Sequence, residues 1–143
     1  MTFDEILKAR VHRILEPLER YENAPDVTLI QKLKNELVVS EGEEILGVYR
    51  SGAGGAEHMI AVTMSGLHVY HGNWIHLEYS EMTSAKVPLE DTDKANASTI
   101  LVNLKSGDVV SIPIVGGQGK LRDVWPFLRF IQRVIGDYHA RHV

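Results

Sequence analysis

Three histidines, His68, His71 and His76, fall within nine residues, and a carboxylate, Glu78, follows two positions after the last. Imidazole with carboxylate is the ligand chemistry of zinc. Side chains of an extended chain alternate between two faces, so His68, His76 and Glu78 share one face of a strand pair, with His68 opposite or diagonal to His76. No His-x-x-x-His pair is present and no third histidine is fixed beside these two. No metal and no cofactor is therefore expected. Tyr70 and Trp74 belong to the same face. Tyrosine and tryptophan bring large contact area and a polar handle, which suits them to interfaces. His68, Tyr70, Trp74, His76 and Glu78 are accordingly the expected partner-binding residues. The chain's own N-terminal leader is the rival occupant of that face, and the sequence does not choose between the two.

Two glycine-rich stretches invite a phosphate-loop reading. Gly52-Ala-Gly-Gly55 has neither the Lys-Ser/Thr of a P-loop nor a strand–loop–helix setting. Gly116-Gly-Gln-Gly119 does precede a helix, whose N-terminus can hold an anion. Gly117, Gly119, Lys120 and Arg122 are the second candidate site, with a flexible connector as the plainer reading of the same residues. There is no Gly-x-Ser-x-Gly elbow, and the carboxylates are scattered, so catalysis is not expected. The stretch Glu90-Asp-Thr-Asp93 reads as a solvated loop.

These residues are positioned by three regions. In the leader, Phe3, Ile6, Leu7, Val11, Ile14, Leu15 and Leu18 recur at three- and four-residue spacing, one stripe of a helix. Thr2 and Glu5 fit a capping box, and Pro17 should kink or end the helix near Glu16. Asp26 can cap a second helix carrying Leu29, Ile30, Leu33 and Leu37. Seven strand-like segments follow, at 44–50, 57–64, 67–70, 75–80, 83–89, 99–105 and 109–115. Their close spacing without helices predicts antiparallel pairing. Core-facing residues must match across each hairpin. A loop at Lys105-Ser106-Gly107 pairs Val102 with Val110 and Ile100 with Ile112, and an odd loop around Gly72-Asn73 sets Leu67 and Val69 beside Ile75, Leu77 and Tyr79. In the last region Asp123 is a good N-cap, Pro126 falls in the first turn, and Val124, Phe127, Leu128, Ile131, Val134, Ile135 and Tyr138 form the apolar stripe.

The expected fold is α+β and mainly β. Seven antiparallel strands form a barrel or sandwich capped by the C-terminal helix. Residues 1–40 are a helical extension and 41–143 the main domain. The strand order resembles that of the bacterial pleckstrin-homology-like families. The resemblance is carried by Glu44-Ile-Leu-Gly-Val-Tyr, Ile60-Ala-Val-Thr-Met-Ser-Gly-Leu-His-Val-Tyr, Ile100-Leu-Val-Asn-Leu-Lys-Ser-Gly-Asp-Val-Val and the Trp125-containing helix, within residues 43–138. It implies two bent sheets, a helix plugging one end, and a binding or assembly role. Phosphoinositide-binding members cluster Lys and Arg around the first loop, whereas 50–58 here has one Arg, no Lys and an acidic residue. A protein partner or self-association is expected instead. A toxin-immunity protein, or a small-ligand or enzymatic barrel using the histidines, are the alternatives.

At 143 residues the chain has the length of one domain. Its net charge of −4 disfavours nucleic acid and anionic lipid as bulk partners. It has no cysteine, which suits a reducing compartment, and no signal peptide or membrane span is evident, so a cytoplasmic location is expected.

Overall fold

The computed structural model describes residues 2–23, 27–36, 43–53, 56–70, 72–88, 98–114, 116 and 122–142, with the backbone alone at positions 29, 32, 36, 51–53, 56, 57 and 142. Thr2 caps the first helix, α1 (Phe3–Arg10), by accepting the Glu5 amide at 3.2 Å. The helix then widens into a π turn, Val11–Leu15, where the Glu16 amide reaches back to the Val11 carbonyl at 3.0 Å. It stops before Pro17, which has no amide to donate.

The order continues as β1 (Tyr21–Glu22), α2 (Val27–Glu36), β2 (Ile45–Ala53), β3 (Ala56–Thr63), β4 (Gly66–Tyr70) and β5 (Trp74–Glu78). A 3-10 turn at Tyr79–Glu81 leads into β6 (Met82–Lys86), β7 (Thr99–Leu104), β8 (Val109–Pro113) and α3 (Val124–His142). Strands β1 to β5 form one antiparallel sheet in chain order, and β6 to β8 form a second. The chain is thus mixed α+β with a C-terminal helix. Two expectations are corrected. Eight strands, not seven, are present among the described residues, because Tyr21–Glu22 pairs with Tyr49 and Val48 at the sheet edge. Among the described residues the two sheets do not close into a barrel. Each of the seven expected segments carries a strand.

Both hairpin registers follow the matching of apolar faces. Val102 pairs with Val110 and Ile100 with Ile112, and Gly107 takes φ +95° in the connecting loop. Leu67 pairs with Leu77 and Val69 with Ile75.

One core fills the space between the sheets and the helices. Tyr49, Ile60, Val62, Leu67 and Leu77 enter it from the first sheet, Ile100, Val102 and Ile112 from the second, and Phe127, Phe130, Ile131 and Val134 from α3. The leader is part of it. Leu7, Val11, Ile14, Leu15 and Tyr21 are buried in the same cluster, and Phe3 packs edge-on to Tyr79 and Tyr138 at ring distances of 5.9 and 5.3 Å. Arg10 clamps α1 to α3 through Asp137, with nitrogen–oxygen distances of 3.0 and 3.4 Å. At the start of α3 the Tyr49 hydroxyl donates to the buried Asp123 carboxylate at 2.7 Å. Burial, with the bond to that carboxylate, pushes the Tyr49 phenol far up.

The outer edge of β6 is covered by α3. Gln132 donates to the Ala85 carbonyl at 3.1 Å, and His139 Nε2 lies 3.0 Å from the Met82 carbonyl. Strands β5 and β8 end their sheets with side chains exposed, Ile75 at 42 % and Val109 at 54 %. No helix among the described residues is long and apolar enough to cross a membrane.

Candidate functional site

Strands β4 and β5 bring the expected outer-face residues together. His68 pairs with His76, Tyr70 with Trp74, and Gly66 with Glu78, all pointing away from the main core as the alternation predicts. The two imidazoles stack with ring centres 4.0 Å apart and planes 5° from parallel. Tyr70 and Trp74 form a tilted ring pair at 5.1 Å. Both flank a second, smaller apolar cluster in which Leu33 of α2 packs on Val48, Met59 and Ala61 of the first sheet. The leader's second helix therefore occupies part of this face, and of β5 Trp74 packs against the covered part. His71 lies outside the described residues.

His68 is 2 % exposed and its Nε2 has no hydrogen-bond partner. Burial and the neighbouring His76 push its pKa down to about 4, with Glu43 opposing. Burial would raise the Glu43 carboxyl. Hydrogen bonds from the Ser65 and Thr63 side chains and the Ser65 amide outweigh that and hold it below the ordinary range. Ser65 donates its hydroxyl to Glu43 in a short bond, and His76 Nε2 lies 3.5 Å from the same oxygen.

This geometry speaks to two chemistries. Zinc takes imidazole nitrogens at about 2.0 Å from one point. The in-plane lone pairs of two parallel rings 4.0 Å apart run side by side and do not converge. Among the described residues no three His, Cys, Asp or Glu side chains are grouped to hold a metal. Nucleophilic catalysis needs a carboxylate that orients the imidazole, which in turn takes the hydroxyl proton. Here the carboxylate holds the serine directly, and the imidazole stands at the limit of hydrogen-bond range.

The His68 environment predicts a pH dependence. The unfolded chain takes up a proton as pH falls below about 6.5, whereas folded His68 does so only near 4. Stability is therefore full above 6.5 and falls between 6.5 and 4, by about 3 kcal/mol in all. Denaturant melts at half-unit pH steps should show this slope, and His68→Phe, which keeps a stacked ring without titrating, should flatten it. An unchanged slope in His68→Phe would assign the pH dependence to other groups.

Of the second candidate site, Gly117, Gly119 and Lys120 lie outside the described residues. Arg122 is half-buried just before α3, and its carbonyl accepts the Trp125 amide at 3.2 Å.

One arrangement escapes the sequence reading. Arg10 and Arg13 of the leader and Arg129 and Arg133 of α3 surround a groove of about 220 Å³ floored by Ile14. The signal available for it is a pair of arginines three apart on one helix and a pair four apart on another. The two pairs are more than a hundred residues apart, so only packing of the first helix on the last joins them.

No family model matches the chain, and neither curated proteins nor solved structures yield a match.

Proposed function

We propose that this protein is a non-catalytic binding module of pleckstrin-homology-like architecture that takes a protein partner at β4 and β5. The architecture is supported by the split of the strands. Setting aside the two-residue β1, four consecutive strands form the first sheet, three form the second, and a helix follows. The partner role rests on one observation: β5 ends its sheet, pairs only with β4 among the described residues, and exposes His76 and Glu78 on the face of the Tyr70–Trp74 ring pair and Ile75 on the other face. Such an edge offers main-chain donors and acceptors to an added strand, with flanking side chains to select it.

The test is comparative capture from host extract by wild type and by a Trp74→Ala/Ile75→Asp variant, with sedimentation of each protein alone. We expect a discrete bound protein, or a self-associated species, that falls at least about tenfold in the variant, since a central aromatic anchor contributes about 2 kcal/mol or more. The variant should still melt cooperatively. Equal capture and equal sedimentation by the two proteins would remove the reading.

A further inference from the structure

The groove between α1 and α3 runs against the character of the chain. The protein carries a net charge of −4, yet four guanidinium groups meet here around one shallow space. One of them is accounted for: Arg10 forks onto Asp137 and ties the two helices together. Arg13, Arg129 and Arg133 are exposed, and none has an ion-pair partner among the described residues. Among the described residues four positive charges face one carboxylate, an excess of three.

Arginines placed like this repel one another. Like charges four apart on a helix destabilise it slightly, and packing a second helix bearing two more arginines against them adds to the effect. Among the described residues the Arg10–Asp137 bridge is the ion pair that offsets this repulsion. The floor is Ile14, a buried residue of the π turn, and the turn is held by tight packing of Leu7, Val11 and Leu15. The rim is thus built on rigid helical backbone, and short π segments recur where a helix serves a function. Guanidinium groups present fixed forks of N–H donors whose geometry matches phosphate oxygens, and several forks on one ligand add in strength.

We propose that this groove is a binding site for a compact anion bearing two or more phosphate groups. Its volume of about 220 Å³ limits the anchored part to a few phosphates on a small scaffold. Arg13, Arg129 and Arg133 make the direct contacts, and Arg10 holds the two sides of the groove at fixed spacing. The site is separate from the β4–β5 face and stands whether or not that face takes a partner.

Calorimetry with tripolyphosphate on the full chain tests it, at two salt concentrations. We expect saturable binding of one anion per chain. Arg129→Gln and Arg13→Gln should each weaken it by about tenfold, as loss of one charge-assisted contact does. Arg129→Glu/Arg133→Glu should abolish it. Lys34→Gln, on α2 away from the groove, should leave it unchanged, and melting without ligand confirms that each variant is folded. Two further arms separate the sources of such a ligand. Binding of inositol trisphosphate together with phosphatidylcholine vesicles containing phosphatidylinositol bisphosphate points to a lipid headgroup. Binding of the free anions without the vesicles points to a soluble metabolite. No saturable binding, binding equal in wild type and the Arg129→Glu/Arg133→Glu variant, or tighter binding of a duplex oligonucleotide than of tripolyphosphate would each overturn the proposal.

Discussion

A chain lacking residues 1–22 is expected not to fold. Leu7, Val11, Ile14 and Leu15 are buried in the single main core, packed with the inner faces of both sheets and with α3. Full burial of one such side chain contributes about 1.5–3 kcal/mol. The four together approach about 6–12 kcal/mol, comparable with the roughly 5–15 kcal/mol that holds a domain folded. The deletion also removes Tyr21, which pairs with Tyr49 across the sheet edge and sits where a Cβ on Gly47 would be. Gly47 is bare because the Tyr21 ring lies on it. Far-ultraviolet dichroism should show loss of the cooperative thermal transition. A truncated chain melting within a few degrees of the full one would show that the sheets and α3 suffice.

Gly66→Val is expected to cost about 5 kcal/mol, with Gly66→Ala following at about 3 kcal/mol. A Cβ at this position meets the Leu77 carbonyl oxygen of the facing strand and lies 2.9 Å from Glu78 Cα. Both are main chain, so no rotamer change relieves the overlap. The strands must separate, and two bonds at the turn are lost with them: the Gly66 amide to Thr63 Oγ1 at 3.3 Å, and the Thr63 hydroxyl to the Gly66 carbonyl at 3.0 Å. The Tyr79 hydroxyl, which donates to the Thr63 carbonyl at 2.9 Å, loses its setting as well. Denaturant midpoints measure the cost. A loss below about 1 kcal/mol for Gly66→Val would mean that β4 and β5 do not approach so closely at this position.

What could be read from the sequence was governed by local periodicity. Strict alternation placed His68, Tyr70, Trp74, His76 and Glu78 on one face. Matching of apolar faces determined the β7–β8 register, because a slip of one residue would have turned Ile100, Val102 and Ile112 to water. Features made by distant packing were not readable. Tyr21–Glu22 is too short to signal a strand and becomes one only because Tyr49 and Val48 stand opposite. Phe130 lies outside the expected stripe of α3, yet it is fully buried, because α1 and the sheets cover that helix over a wider arc than one stripe. The leader reads as an extension because its stripe does not say what it meets; it meets α3 through Arg10 and Asp137. The stacking of His68 on His76 is likewise a matter of rotamers, about which spacing is silent.

The Arg10–Asp137 bridge joins residues 127 positions apart. During synthesis the first helix leaves the ribosome long before its mate exists. Both sheets can pair meanwhile, but their oily inner surfaces stay wet until α3 has been made. The inner surfaces of such a nascent chain close late, when α3 reaches the helix made long before it.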